Sequence, residues 1–338
     1  MKRILATLLA VTMLIGAGMT SVPVSAAAEE EGYTIAYVGC ISASQFYVGM
    51  VYGIEDAMTE AGNIELLKTD TYIVHEQLDA INNYISLGID GMILTPGDPG
   101  AISSGIDALN EAGIPVVICD IIPDNKGYVG SYASDNYAIG VQTARELAER
   151  LETKYGEVKG SIACMIGSQA ITSHYNRWHG FLDTVEAEYP GIEILAQEGQ
   201  TSAEDALNQA TNWFTMFGNS LDAIWDPTDT SAVAATQAAK ATNNYYDVGD
   251  ENHCIIISID GEPNVVDLIR QNSVDCTVAQ NSYQMGIDAA NGLLAYLADG
   301  TVPEEQDNVV PFMSIDTENC NSDEVAGKCW ADIVMARD

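Results

Sequence analysis

YTIAYVGCISASQFYVGMVYGIEDAMTEAG, residues 33–62, contains the pattern that the rest of the chain repeats. Its first nine residues form a continuous apolar run rich in β-type side chains, which predicts a buried strand. Phe46 to Ala61 then follows a helical pattern, and Gly62 ends it. A strand whose apolar residues are continuous rather than alternating is typical of a parallel sheet buried on both faces.

The same strand–helix unit recurs along the chain. Asp135 and Asn136 begin a long helix with capping side chains, and from there the series starts again. The later predicted strands are IELLKTD, DGMILTP, IPVVICD, the short YVGSYASDN, SIACMIG, IEILAQE, LDAIWDP, CIIISIDG and VDCTVAQ. We therefore predict an α/β fold made of two successive βα sets, each large enough for its own parallel sheet.

The N-terminal residues 1–26 have the layout of a secretory signal peptide. A basic start at Lys2 and Arg3 precedes an apolar run, and small residues lead to a cleavage site near Ala26. A membrane anchor is the alternative, but glycines interrupt the run before it reaches spanning length. No cysteine follows the run, so no lipobox is present. These features predict an exported protein, periplasmic or extracellular, without stable membrane insertion.

The charge of the chain excludes one class of partner. It has 13 Lys and Arg against 49 Asp and Glu, a formal net charge of −36. Nucleic acid is excluded as a partner, because binding phosphates requires clustered basic side chains. Enzyme motifs are absent from the sequence: it has no nucleophile elbow, no zinc-protease helix motif and no glycine-rich phosphate loop. We predict no catalysis, no cofactor and no metal.

Polar and aromatic residues follow several predicted strands directly. In open α/β sheets, ligands bind beyond the carboxyl ends of the strands. Such residues are Ser42 to Tyr47, Asp120, Gln169 to Arg177, Asp226 to Asp229, Asp260 and Gln280. Among them HYNRWHGF, 174–181, places one arginine of a very acidic chain among aromatic rings. The pattern predicts a binding site that combines acceptors, a donor and rings.

In these residues the chain resembles periplasmic binding proteins of the ribose-binding type, the substrate-capturing subunits of ABC sugar importers. The resemblance extends over about residues 33 to 300 and is carried by these stretches: TIAYVGCISASQFYVGMVYGIEDA, LGIDGMILTPGDPGAI, EAGIPVVICD, SDNYAIG, RWHGF, LDAIWDPTD, ISIDGEPNVVDLI and DCTVAQNSYQMG. It implies two αβα domains with parallel sheets, joined by a three-crossing hinge that closes on a ligand. The implied domains are 27–132 plus 281–308 and 133–280 plus 309–338.

The resemblance also implies a set of ligand-binding residues. They are Phe46, Tyr47, Asp120, Arg177, Thr228, Asp229, Asp260 and Gln280. Of the aromatic pair, one member is expected in the core and at least one in the cleft. The arginine that follows the fourth-strand aspartate in ribose-type proteins is Ile121 here, and an asparagine pair is replaced by Ala43 and Ser44. These departures argue against ribose and leave a related polyhydroxylated solute.

The implied function is that of a monomeric protein that captures a small solute for an ABC transporter permease. Two alternatives stay open: a receptor subunit that signals to a membrane sensor, and an importer subunit for a cationic or amino-bearing solute. Arg177 is expected to supply donors to the ligand, the alternative being a surface salt bridge. If its side chain points into an open, hydrated cleft, removing it should hardly affect folding.

Seven cysteines are present, and five of them lie in or beside apolar strands. Cys320 and Cys329 instead lie together in a polar, glycine-containing tail. We hypothesise a disulfide between these two residues, with a pair of free thiols as the alternative.

Overall fold

The computed structural model describes residues 32–200 and 202–337, so the predicted signal peptide, 1–26, lies outside the described residues. The strands are β1 Tyr33–Gly39, β2 Ile64–Asp70, β3 Gly91–Leu94, β4 Val116–Cys119, β5 Ser131–Ala133, β6 Gly160–Met165, β7 Ile192–Glu198, β8 Ala223–Trp225, β9 Ile255–Asp260, β10 Cys276–Ala279, β11 Asp307–Val309 and β12 Met313–Asp316. The α-helices are α1 Gln45–Ala61, α2 Val74–Leu87, α3 Ser103–Ala112, α4 Asn136–Tyr155, α5 Thr172–Glu188, α6 Ala203–Phe217, α7 Asp229–Ala241, α8 Pro263–Arg270, α9 Ser282–Asp299 and α10 Trp330–Met335.

The described strands form two six-stranded sheets. The first has the order β11-β5-β4-β3-β1-β2, and the second has the order β12-β10-β9-β8-β6-β7. Pairing is parallel except that β12 runs antiparallel to β10. The predicted α/β class with two mostly parallel sheets is confirmed. Below, the first half means the first sheet and its helices, and the second half means the second sheet and its helices.

Both sheets are covered by helices on both faces, as the continuous apolar runs predicted. In β1, Ile35 and Tyr37 enter the core under α1 and α9, whereas Ala36 and Val38 enter the core under α2 and α3. All four side chains are fully buried. Because successive residues of a strand point to opposite faces, each strand must be apolar throughout to fill both cores. The second sheet repeats this arrangement with α4 and α5 on one face and α6, α7 and α8 on the other.

Short segments carry the chain between the two sheets three times among the described residues. They connect β5 to α4, β10 to α9, and β11 to β12. The predicted cap is confirmed at the first crossing, where the Asp135 carboxylate accepts the backbone N–H of Ala138 at 2.9 Å. Asn281 caps α9 in the same way by accepting the N–H of Gln284 at 3.2 Å. The first two crossings therefore lead directly into helices with a defined start, whereas the third leads into β12.

Two helix pairs approach so closely that only glycine fits between their backbones. A Cβ on Gly140 of α4 would lie 2.1 Å from the carbonyl oxygen of Arg177 in α5, and one on Gly180 would lie 2.1 Å from that of Tyr137. The α1–α9 pair is built alike, since a Cβ on Gly53 would lie 2.0 Å from the carbonyl oxygen of Tyr283. Gly140 and Gly180 therefore determine how closely α5 packs against α4.

The C-terminal tail contacts both halves. Trp330 of α10 packs in the core of the first half, and Ala331 packs in the core of the second. The predicted bridge between Cys320 and Cys329 is absent, because all seven cysteines are free and buried. The Cys320 thiol lies 3.8 Å from the carbonyl oxygen of Thr317. The Cys329 thiol donates a hydrogen bond to the Asp332 carboxylate. The two thiols thus have separate partners.

No helix in the described ranges is both long and apolar enough to cross a membrane.

Candidate functional site

Asp120 and Asp260 lie at facing strand ends in unusual backbone conformations. Asp120 directly follows β4 with φ +66°, and Asp260 ends β9 with φ +124°. Non-glycine residues rarely adopt positive φ, and such conformations concentrate at binding and catalytic sites. The charge of Asp260 raises the pKa of Asp120, and the Arg177 guanidinium lowers the pKa of both carboxyl groups. The structure therefore brings the polar ends of β4 and β9 together with Arg177 in one cluster.

Arg177 is held by three acceptors from different elements. Its Nε donates to Asn136 Oδ1 at 2.8 Å, its Nη1 donates to the Pro227 carbonyl oxygen at 2.9 Å, and Nη1 lies 3.0 Å from Asp260 Oδ1. The residue is only 4% exposed. The side chain therefore does not meet the condition of an open, hydrated surrounding, under which its removal would hardly affect folding, and the alternative of a surface salt bridge is wrong. Nη2 makes no hydrogen bond to the described residues.

Asp260 links Arg177 to Gln280 at the centre of the cluster. Gln280 Nε2 donates to Asp260 Oδ1 at 2.7 Å, so this oxygen serves two donors. Burial raises the pKa of Asp260, and the Arg177 guanidinium and Gln280 amide oppose that rise. Gln280 itself is 4% exposed, and its Oε1 has no hydrogen-bond partner among the described residues. A buried acceptor without a donor is costly to the folded protein.

Phe46 takes the core position expected for one member of the aromatic pair. Phe46 is 6% exposed and packs edge-to-face against Tyr47 and Trp330. The Tyr47 hydroxyl reaches Asp120 Oδ2 at 3.3 Å. Burial raises the pKa of Asp120 to about 6, while Arg177 and the Tyr47 hydroxyl oppose the rise. The direct ligand contacts predicted for Tyr47, Asp120, Arg177, Asp260 and Gln280 stay predictions.

Asp229 has a different role from the predicted ligand contact. Its carboxylate accepts from Ser258 Oγ at 2.5 Å, from Thr277 Oγ1 at 2.8 Å and from the Glu262 N–H at 2.6 Å. The residue is fully buried. With its oxygens occupied by protein donors, Asp229 ties the start of α7 to β9 and β10 rather than facing a ligand. Thr228 stays partly exposed beside it, with its hydroxyl 3.3 Å from Ser231 Oγ.

Several contacts in the cluster were missed from the sequence. Glu262 accepts the backbone N–H of Phe46 at the start of α1, and its pKa rises to about 7 through burial and the charge of Asp260. The indole N–H of Trp330 donates to the Asp260 carbonyl oxygen at 3.0 Å. Glu262 could have been predicted as a member of the cluster, because it lies two residues after Asp260. The sequence around Trp330 gave no indication of its contact with Asp260.

His174, Trp178 and Phe181 of HYNRWHGF have structural roles. Trp178 is 4% exposed and stacks with Phe181 in the core. Nδ1 of His174 accepts the backbone N–H of Ser168 at 3.1 Å. Burial and the nearby Arg177 charge lower the pKa of His174 to about 4, so the ring is neutral at pH 7. Arg177 is therefore the residue of this segment that joins the cluster.

Asp226 is a fully buried carboxyl group whose two oxygens have no hydrogen-bond partner among the described residues. Burial, and secondarily Asp229, raise its pKa well above the usual range. A raised folded-state pKa means that stability is fully present below the unfolded pKa of ~3.9 and is lost as pH rises above it. Asp226→Asn should therefore raise the unfolding free energy at pH 7 by at least about 1 kcal/mol and change it little at pH 4.

Urea unfolding of both proteins at the two pH values measures this difference. A loss of stability in Asp226→Asn at pH 7 would show that the carboxylate is ionised in the folded protein and paired with a group outside the described contacts.

Two sizeable cavities lie away from the cluster. One, of about 780 Å³, is lined by Pro115, Tyr128 and Tyr296, and the other, of about 720 Å³, by Arg150, His253 and Asp316. Both open near the amino ends of strands, opposite the ends that carry Asp120 and Asp260. Neither is lined by a predicted site residue.

Comparison with known proteins gives a match over most of the chain. Residues 35–301 match the model of the periplasmic binding protein domain. A putative rhizopine-binding protein of Rhizobium meliloti is 27% identical over 253 residues, which cover 70% of this chain and 77% of that protein. The xylitol-binding protein of Mycolicibacterium smegmatis is 25% identical over 228 residues, 67% of this chain and 62% of the relative's length.

Solved structures share the fold at low identity. A periplasmic ribose ABC transporter protein from Conexibacter woesei superposes with a TM-score of 0.75 at 21% identity, covering 86% of this chain and 94% of that one. A solute-binding protein from Bacillus halodurans with bound myo-inositol gives a TM-score of 0.73 at 21% identity, covering 87% and 98%. These similarities establish the two-sheet architecture.

Proposed function

The chain belongs to the periplasmic binding protein family, and from this premise we propose that it captures a small sugar or related polyhydroxylated solute for an ABC importer. The names of relatives support a solute of this kind, since they include ribose-binding and xylitol-binding proteins. The protein acts outside the cytoplasm, as a monomer that delivers its solute to a membrane permease. It binds and releases the solute without chemical change.

The observation that carries the proposal is the free Nη2 of Arg177 beside unfilled acceptors. The guanidinium is oriented by Asn136 and Pro227 and so is preorganised to donate to a hydroxyl. Asp120 and the Gln280 Oε1 are acceptors for hydroxyl hydrogens. Three or four such charge-assisted bonds, each worth ~1.5–3 kcal/mol, suffice for micromolar affinity after ordering costs.

We propose further that the solute is enclosed by hinge motion between two domains, 27–132 plus 281–308 and 133–280 plus 309–338. The separate sheets and the short crossings between them support this division. Asp120 comes from the first domain, whereas Arg177, Asp260 and Gln280 come from the second. A solute that bridges these groups would stabilise the closed arrangement.

A thermal-shift screen of sugars, polyols and nucleosides tests the proposal. A solute at 100 times its Kd should add about 2.7 kcal/mol to the unfolding free energy. Small-angle X-ray scattering with the strongest hit should then show a smaller radius of gyration than the free protein. Absence of any hit would contradict the solute-binding function, whereas a hit with an unchanged scattering profile would contradict only the hinge.

A further inference from the structure

Resting on the proposed function, we infer that the solute carries a protonated amino group as well as hydroxyls. Its ammonium group would lie beside Asp120 and the Oε1 of Gln280, with Glu262 in the same cluster, where Arg177 is the one cation that the described residues supply. The solute class is thus an amino sugar or amino polyol rather than a neutral sugar.

The charge balance of the cluster supports this class. The cluster contains three carboxylates, those of Asp120, Asp260 and Glu262, and one guanidinium. Arg177 holds that guanidinium 3.0 Å from Asp260 Oδ1 and also lowers the pKa of Asp120. Asp120 accepts from the neutral hydroxyl of Tyr47, and Glu262 accepts from a backbone N–H. Within the described ranges, no Lys or Arg other than Arg177 pairs with these carboxylates. Partly buried carboxylates without a cation are costly, and a cationic solute would offset that cost.

A second, independent observation concerns hydrogen-bond donors. Gln280 Oε1 is buried without a partner in the described residues, while the amide nitrogen of the same side chain is committed to Asp260. An ammonium group has three donors and no acceptor. It would therefore fill this oxygen and a carboxylate together. A hydroxyl could satisfy one acceptor but would leave the charge uncompensated.

The inference implies a pH dependence with a definite sign. The pKa of Asp120 is raised to about 6 and that of Glu262 to about 7, so both release protons between pH 5 and 7.5. A bound ammonium favours the ionised forms, and its affinity should rise over this range. The groups that face them are Tyr37, Tyr47, Tyr72, Cys119, Arg177, Asp229 and Asp260.

Of these groups, the phenols and the thiol stay protonated in this range because their pKa values are raised. Asp229 and Asp260 also have raised pKa values, chiefly through burial, and any protons that they release would act in the same direction. The guanidinium of Arg177 stays charged throughout.

Isothermal titration calorimetry with matched solute pairs tests the inference. The pairs are D-glucosamine with D-glucose, D-galactosamine with D-galactose, and an aminodeoxy-inositol with myo-inositol. In at least one pair the amine should bind at least tenfold more tightly at pH 7 than its hydroxyl partner. Its affinity should fall at least threefold at pH 5.5, whereas that of a neutral sugar should change less.

Variants assign the effect to the cluster. Asp120→Asn and, separately, Glu262→Gln should reduce the preference for the amine at least fivefold, and melting curves establish that each variant is folded. Glu193→Gln, an exposed position on β7, removes one charge elsewhere and should retain the preference. If the hydroxyl solutes bind as tightly as the amines, the inference is wrong and the proposed function stands. If neither these pairs nor the wider screen give binding, both are wrong.

Discussion

Arg177→Ala is expected to lose about 3–5 kcal/mol of unfolding free energy, the usual cost of removing one partner of a buried ion pair. The side chain is 4% exposed and serves Asn136, Pro227 and Asp260. Its removal leaves a buried carboxylate without a cation and two acceptors without donors. Affinity for a solute found in the screen should also fall by about 2 kcal/mol or more, since the free Nη2 is lost.

Two controls separate this role from a general charge effect. Arg177→Lys should recover less than half of the lost stability, because a single ammonium cannot reproduce the planar fork that reaches three acceptors. Arg145→Ala removes an exposed arginine of α4 whose nearest carboxylate oxygen, on Glu188, is 4.0 Å away, and should cost less than about 1 kcal/mol. Urea unfolding and calorimetry give the two quantities. Equal stability of Arg177→Ala and Arg145→Ala would contradict the described contacts.

Gly140→Ala should be nearly as damaging, although it adds a single methyl group. The new Cβ would lie 2.1 Å from the carbonyl oxygen of Arg177, so α4 and α5 would have to separate. Overpacking of this kind usually costs ~1–3 kcal/mol, and a backbone atom that cannot rotate away places this case at about 3 kcal/mol or above. Because the clashing atom belongs to Arg177 itself, the same change should also displace the guanidinium and weaken solute binding.

Gly105→Ala provides the matched control. This glycine is also in a helix, but the nearest atoms to a new Cβ are the side-chain ends of Ile81 and Leu78. Those ends can move, and replacing a helical glycine by alanine gains up to ~1 kcal/mol of helix propensity. The unfolding free energy of Gly105→Ala should therefore lie within about 1 kcal/mol of that of the parent protein. A Gly140→Ala protein with parental stability would show that the helix pair adapts at little cost.

The sheets were predictable where the strands are buried on both faces. β1 and β9 are continuous apolar runs because each of their residues must fill one of two cores. β11 and β12, with the sequences DNV and MSID, were missed. They are three or four residues long and partly polar, and their pairing depends on where the chain lies after the last crossing. Neither periodicity nor composition within such segments reports that position.

The candidate site was predictable by its residue types but only in part by their roles. Asp226 and Asp229 both follow β8. Their spacing could not show that Asp229 accepts three hydrogen bonds, whereas Asp226 has no hydrogen-bond partner among the described residues. The carbonyl oxygen of Pro227 is a backbone atom, and its part in orienting Arg177 could not be inferred from residue identity. The burial of Phe46 could have been predicted, because this residue lies on the same face of α1 as the buried Met50 and Ile54.

The tail tryptophan gives the protein an optical reporter of its own conformation. Trp178, Trp213 and Trp225 are buried in the second half, whereas Trp330 packs on Phe46 of the first half and donates its indole N–H to the Asp260 carbonyl oxygen of the second. Indole emission responds to hydrogen bonding and to the polarity around the ring. Relative movement of the two halves would therefore change the surroundings of one tryptophan out of four, and conformational kinetics would be accessible by stopped flow without an attached dye.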